Sequence, residues 1–157
     1  MSQNAPEIVT RATSAPPVRG IVWNILGQVY IPKQLNEETF AWQATFPIET
    51  FVPPHIHPDQ DEYLCVTDGE LDCTIEGEEC KALPGEVVHL PKGIPHGLFN
   101  NSGKPVTGIS WVEPTGTLFE LFKAIHSVGN PNDVVQIAAE FNVEFLSAQQ
   151  ASPNWTA

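Results

Sequence analysis

Val52-Pro53-Pro54-His55-Ile56-His57-Pro58-Asp59-Gln60-Asp61-Glu62-Tyr63-Leu64-Cys65-Val66 is the stretch on which the reading of this chain turns. His55 and His57 are two residues apart, so on an extended strand both imidazoles leave the same face and can converge on one ion. Pro58-Asp59-Gln60-Asp61 is a loop short enough to reverse an antiparallel strand. Glu62 then opens a new apolar run and returns its carboxylate toward the histidines. Farther along, Pro91-Lys92-Gly93-Ile94-Pro95 is a turn that swings the chain onto another strand, where His96 offers a fourth ligand. Three neutral imidazoles and one carboxylate suit one divalent transition metal per chain, Fe, Mn, Ni, Co, Cu or Zn, without choosing among them. Taken singly, each residue has an ordinary reading: surface or hydrogen-bonded histidines, and a solvated Glu before a strand. The metal reading rests on all four together.

Outward from this stretch, Ile21 to about Val112 is a succession of short apolar or alternating runs separated by Gly, Pro, Asn and Asp, the pattern of many strands in a sandwich or barrel. Phe40, Trp42, Ala44 and Phe46 share one face of a strand, and Ala41, Gln43 and Thr45 the other. The acidic cluster Glu76 to Glu79 reads as a solvated hairpin turn around Gly77, without the spacing of a calcium loop. After Pro114 the period changes. Leu118, Phe119, Leu121, Phe122 and Ile125 recur at helical spacing, and a second helix is expected from Asp133, as its N-cap, to about Glu140. Both helices are placed against the outside of the barrel. Residues 1–20, rich in Ala, Pro, Ser and Thr, read as a flexible arm, and 147–157 as a C-terminal tail. His89 is read as a hydrogen-bonded strand histidine and His126 as a cation at a helix C-terminus.

The 157 residues suffice for a single domain with its own core. Nineteen acidic residues against 7 basic ones give a formal charge of −12, which repels phosphate backbones and argues against nucleic acid or anionic lipid as a partner. No apolar run reaches the roughly 18–20 residues that span a bilayer, and Met1 to Val18 lacks the order of a signal peptide, so no membrane contact and no processing are expected. Cys65, Cys73 and Cys80 are odd in number and form no Cys-x-x-Cys pair, which suits reduced thiols in the cytoplasm.

Residues 55–100 match both signature motifs of the cupin superfamily, and the chain is similar to small single-domain cupins of the quercetin 2,3-dioxygenase type. The first motif is His55-Ile-His57, four residues, Glu62, six residues and Gly69; the second is Gly85, five residues, Pro91-Lys-Gly93, two residues, His96, three residues and Asn100. The Gly often found six residues before the first histidine is Glu49 here, a departure confined to the entry turn. The similarity runs from about Trp23 to Ile125. It implies an all-β fold, a single cupin (jelly-roll) β-barrel of about 21–113 with one or two helices packed outside in 114–146, the whole of 21–146 forming one domain. It also implies positive φ at Gly69 and Gly85, a bend shaped by Pro91 and Gly93, and a strand ended by Asn100.

Four protein ligands leave open positions on a six-coordinate ion, and a local charge of about +1 calls for an anionic oxygen such as an enolate, phenolate or carboxylate. With the resemblance, this implies a metal-dependent dioxygenase, an oxidoreductase, acting on a flavonol or other small enol or phenol. Dioxygen is then a co-substrate, and Glu62 serves as both ligand and catalytic base. Phe46, Leu64, Leu98, Trp111 and Phe119 are expected around an apolar pocket, and no cofactor beyond the metal is expected. No Arg or Lys adjoins a ligand in the sequence, which weakens a sugar-phosphate isomerase reading. Two other classes stay open: a metal-dependent isomerase or lyase on a small oxygenated substrate, and a non-catalytic cupin that binds a small ligand. Single cupin barrels commonly cover their open faces with a symmetry mate, so a homodimer is expected.

Overall fold

Alternation of large apolar residues with small or polar ones, broken by Gly and Pro, sets short antiparallel strands. A computed structural model of the chain describes residues 15–147, and these form eleven strands: β1 Trp23–Ile25, β2 Gln28–Leu35, β3 Phe40–Phe46, β4 Phe51–Ile56, β5 Asp61–Asp68, β6 Leu71–Ile75, β7 Glu78–Ala82, β8 Val87–Leu90, β9 His96–Phe99, β10 Val106–Glu113 and β11 Glu144–Phe145. Between β10 and β11 lie two helices, α1 Leu118–Ile125 and α2 Pro131–Glu140. The strands form a six-stranded sheet, β1-β2-β3-β10-β5-β8, and a five-stranded sheet, β11-β4-β9-β6-β7. This is the expected jelly-roll barrel. Phe40, Trp42, Ala44 and Phe46 of β3 face its core together with Leu64 and Val66 of β5, Leu71 and Cys73 of β6, and Val106 and Val112 of β10.

One local expectation is corrected. β4 is paired with β9 and β11, and β5 with β10 and β8, so the two strands lie in different sheets. The 57–60 segment therefore carries the chain across the barrel instead of closing a hairpin. That crossing sets Glu62 opposite the histidines. Elsewhere the turns follow the reading: Glu76 and Gly77, at φ 53 and 80, close a hairpin in which Ile75 faces Glu78. Gly69 has φ 88, and a Cβ there would come within 2.9 Å of the Val106 side chain, so both torsion and space require glycine. Glu49 occupies a left-handed conformation at φ 63, the torsion that glycine would adopt without strain. Asn100 is fully buried, and its amide donates to the carbonyls of Phe46, Pro47 and Lys104, tying the end of β9 to two loops.

α1 occupies the expected residues and buries Leu118, Phe119, Leu121, Phe122 and Ile125. α2 starts earlier than expected. Asn130 is its N-cap, accepting the Asn132 N–H at 2.9 Å, and Pro131 opens the helix, so Asp133 falls in the first turn. Both helices lie outside the strands, and β11 returns the chain to the five-stranded sheet, where Phe145 pairs with His55. Of the expected arm, Val18–Gly20 forms a short 3-10 turn, Lys33 Nζ donates to the Ala15 carbonyl, and the Arg19 guanidinium lies 5.8 Å from the Phe119 ring centroid. The arm's residues 1–14 and the tail's residues 148–157 lie outside the described residues. No described helix is long and apolar enough to cross a membrane.

Candidate metal centre

His55 lies near the end of β4, His57 just beyond it, Glu62 at the start of β5 and His96 at the start of β9. All four are buried, and each offers one ligand atom within 4.8 Å of the others. His57 Nε2 and His96 Nε2 both approach the same carboxylate oxygen, Glu62 Oε2, at 3.2 Å.

Neighbouring groups assign the protons on two of the rings. His55 Nδ1 lies 2.8 Å from the Pro53 carbonyl, which only accepts, so this nitrogen carries the proton and Nε2 holds the lone pair. His57 Nδ1 lies 3.1 Å from Gln60 Oε1. Gln60 Nε2 donates to the carbonyls of Pro114 and Thr115, which orients the amide so that Oε1 faces the ring and His57 Nδ1 must donate. In its neutral form His57 therefore turns an Nε2 lone pair toward a carboxylate oxygen, an arrangement that needs a proton or a cation between them. His96 differs: its Nδ1 is buried with no hydrogen-bond partner among the described residues, and its Nε2 faces Glu62.

The electrostatics follow. Burial pushes the Glu62 carboxyl up, but hydrogen bonds and charge from His57 and His96 outweigh it and hold the group well below the usual carboxylate range. Burial opposes charge on His57, yet Glu62 and Gln60 raise its pKa above the ordinary imidazole value. His55 is held well below that value by burial and by its two histidine neighbours. Three nitrogen donors and a carboxylate that shares its oxygen between two of them fit a divalent metal, and the buried cluster can bind one.

A family profile described as the cupin domain matches residues 42–112, the span that contains all four side chains. Residues 42–112 of this barrel are a cupin domain. The chain is 32% identical over 81 residues, 52% of its length, to quercetin 2,3-dioxygenase of Bacillus subtilis (strain 168), of which the match covers 23%. It is 36% identical over 82 residues, 48% of its length, to a germin-like protein of Oryza sativa subsp. japonica, of which 38% is covered. Both matches therefore span less than half of the relative. Among solved structures, KdgF from Halomonas sp. superposes with a TM-score of 0.57 at 20% identity, over 65% of this chain and 94% of that one, a likeness of fold.

The cupin's four clustered side chains open into a largely apolar cavity, walled by both sheets and roofed by α1 and α2. Of the residues expected around a pocket, Leu98 lines it. Phe46 and Leu64 are buried in the barrel core, and Phe119 packs against Trp23 and Phe40, because α1 turns Leu118, Leu121, Phe122 and Ile125 to the cavity instead. Trp111 lies on the outer face of β10, since Ser110 and Val112 take the inward positions; there it stacks on Tyr63, which stacks on His89. Residues the sequence reading missed are Gln28 and Tyr30 in the cavity, Gln60 behind His57, and Phe145, whose ring lies 5.0 Å from that of His55. A polar residue at the buried phase of a strand was the available sign for Gln28.

The other two histidines lie away from the cluster. His89 Nε2 bonds Asp61 Oδ1 at 2.9 Å, as a hydrogen-bonded strand histidine should, and this contact with the Lys92 N–H holds the Asp61 carboxyl below its ordinary value. His126 Nδ1 accepts the Asn24 N–H, which requires an unprotonated nitrogen, so the expected cationic cap is replaced by a neutral acceptor.

Proposed function

We propose that this cupin is a metal-dependent dioxygenase of the quercetinase-like type, acting on a flavonol or another small enol or phenol. In this reading His55, His57, Glu62 and His96 hold one divalent transition metal, and Glu62 is also the base. The observation that carries the proposal is the meeting of two histidine Nε2 atoms on one buried carboxylate oxygen at the base of an apolar cavity. The similarity of half the chain to a quercetin 2,3-dioxygenase supports the choice of reaction.

A divalent cation bound there supplies Lewis-acid polarisation of a hydroxyl oxygen and lowers its pKa. Glu62 is placed to take that proton. With the Nε2 lone pairs of His57 and His96 turned to a cation, neither ring donates to Glu62 Oε2. Glu62 is then held ionised, the form that can accept a proton, by the cation's own charge in place of those hydrogen bonds. α1 and α2 set a hydrocarbon wall over the cavity, which would limit the access of water to the reacting oxygen.

Oxygen uptake by the metal-loaded protein with quercetin tests the reading. Uptake is expected, with a loss of about 100-fold or more in Glu62→Gln that retains its metal. Full turnover in that variant would remove the base role. Turnover of an oxygenated substrate without oxygen uptake would favour an isomerase or lyase, and tight ligand binding without any turnover a non-catalytic cupin.

The functional unit proposed is residues 21–146, in the cytoplasm, where the three free thiols stay reduced. It is proposed as a homodimer. The outer face of the six-stranded sheet supports this, carrying Ile31, Tyr63, Ile109 and Trp111 half-buried and Val87 58% exposed.

A further inference from the structure

Apart from the four clustered side chains, the cavity wall carries one polar pair. Gln28 and Tyr30 are two residues apart on β2, so both face inward, and both line the cavity while only 6% and 8% exposed. Tyr30 Oη donates to Gln28 Oε1 at 2.5 Å. That bond occupies the amide oxygen and fixes the carboxamide plane, and among the described residues no acceptor meets Gln28 Nε2. Gln28 lines the cavity and its amide nitrogen is not sealed off, so the N–H is open to an oxygen that a ligand brings there. Among the described residues that line the cavity there is no Lys or Arg, so a phosphate or a second carboxylate finds no counter-charge from them.

We propose that Gln28 determines specificity by hydrogen-bonding a second, uncharged oxygen of the substrate, separate from the enol or phenol oxygen directed at the four clustered side chains, and that Tyr30 is the positioning residue that holds it. The proposal rests on the enol or phenol reading above and narrows it. The substrate is an uncharged, largely aromatic ring compound with a hydroxyl or carbonyl away from its enol, and not a sugar phosphate or polyacid. A site built to hydrogen-bond an oxygen discriminates against the analogue that lacks it, because its donor then loses that partner.

The test is a binding titration of the metal-loaded full-length protein with two probes, kaempferol and 3-hydroxyflavone, which share the enol and keto groups but differ in ring hydroxyls. Gln28→Leu is expected to weaken kaempferol about tenfold and to leave 3-hydroxyflavone within about twofold, with metal content unchanged. Tyr30→Phe is expected to shift the same ratio in the same direction by a smaller factor. A purely structural role for the pair would weaken both probes alike. That result, or unchanged kaempferol binding in Gln28→Leu, overturns the inference while leaving the dioxygenase reading in place. Wild-type protein that discriminates between the probes through Gln28 but takes up no oxygen would overturn the dioxygenase reading alone. Wild-type protein that binds neither probe would overturn both.

Discussion

Gln60 shows how one side chain outside the ligand set governs the centre. Its amide nitrogen is committed to the carbonyls of Pro114 and Thr115, so its oxygen fixes the His57 tautomer. Gly116 leaves it room, since a Cβ there would lie 3.0 Å from Gln60 Nε2. Gln60→Leu frees the imidazole to rotate or to move its proton to Nε2. A chelator-competition titration should then show metal affinity reduced about 10- to 100-fold, and unchanged affinity would remove Gln60 from the account. The same geometry makes metal binding pH-dependent. His57 has a raised pKa, so its contribution to the stability of the metal-free protein is fully present below its ordinary value of about 6.5 and is lost as pH rises through the raised one. Glu62, depressed, contributes above the carboxylate range and loses that contribution as pH falls through its folded value. A metal must displace the His57 proton, so affinity should tighten by up to about tenfold per pH unit until the raised pKa is passed. A pH-independent affinity between pH 6 and 7 would contradict this. The four candidate ligands were legible because spacing and the resemblance to both cupin motifs pointed to the same residues, each of which has an ordinary reading by itself. Gln60 was not, since its role depends on carbonyls that follow it by more than fifty positions.

At the scale of elements, α1 and the aromatic residues beneath it close the cavity. Phe122 has ring neighbours in Tyr30, Phe40 and Trp42 at centroid distances of 5.0, 5.9 and 5.1 Å, and also lines the cavity. Phe122→Ala should destabilise the domain by about 3–5 kcal/mol in urea unfolding. A cost below about 1 kcal/mol would mean that the roof packs loosely and is not part of the core. α1 could be read from its period because five apolar residues repeat over eight positions. The start of α2 was displaced because Asn130 competes with Asp133 as a cap and Pro131 settles the matter. β11 could not be read: two residues define no period, and its pairing with β4 exists only once the helices have returned the chain to the barrel. The crossing at 57–60 was misread for the same reason. A short loop is compatible with a hairpin or a change of sheet, and only the partners of β4 and β5 decide.

At the scale of the whole molecule, the barrel was legible because many short alternating runs admit few other folds, and the order of the two motifs narrowed them further. The direction of each pocket residue was less so. Trp111 suited a cavity by size and aromaticity, yet strand phase sends it outward. There it joins Tyr63, Ile31 and Ile109 on the face proposed to meet a second copy. Sedimentation at micromolar concentration should give a dimer, and Trp111→Glu should shift it toward monomer without loss of the fold; a wild-type monomer would remove the assembly proposal. With a formal charge of −12, the surfaces around that face repel nonspecifically, so association depends on the apolar patch itself.

Whether the four converging side chains hold a metal is decided by elemental analysis of the purified protein and of His96→Ala after identical metal reconstitution. The expected result is about one divalent transition metal per chain in the wild type and its loss in the variant, with both proteins folded. No metal in either, or equal metal in both, would contradict it.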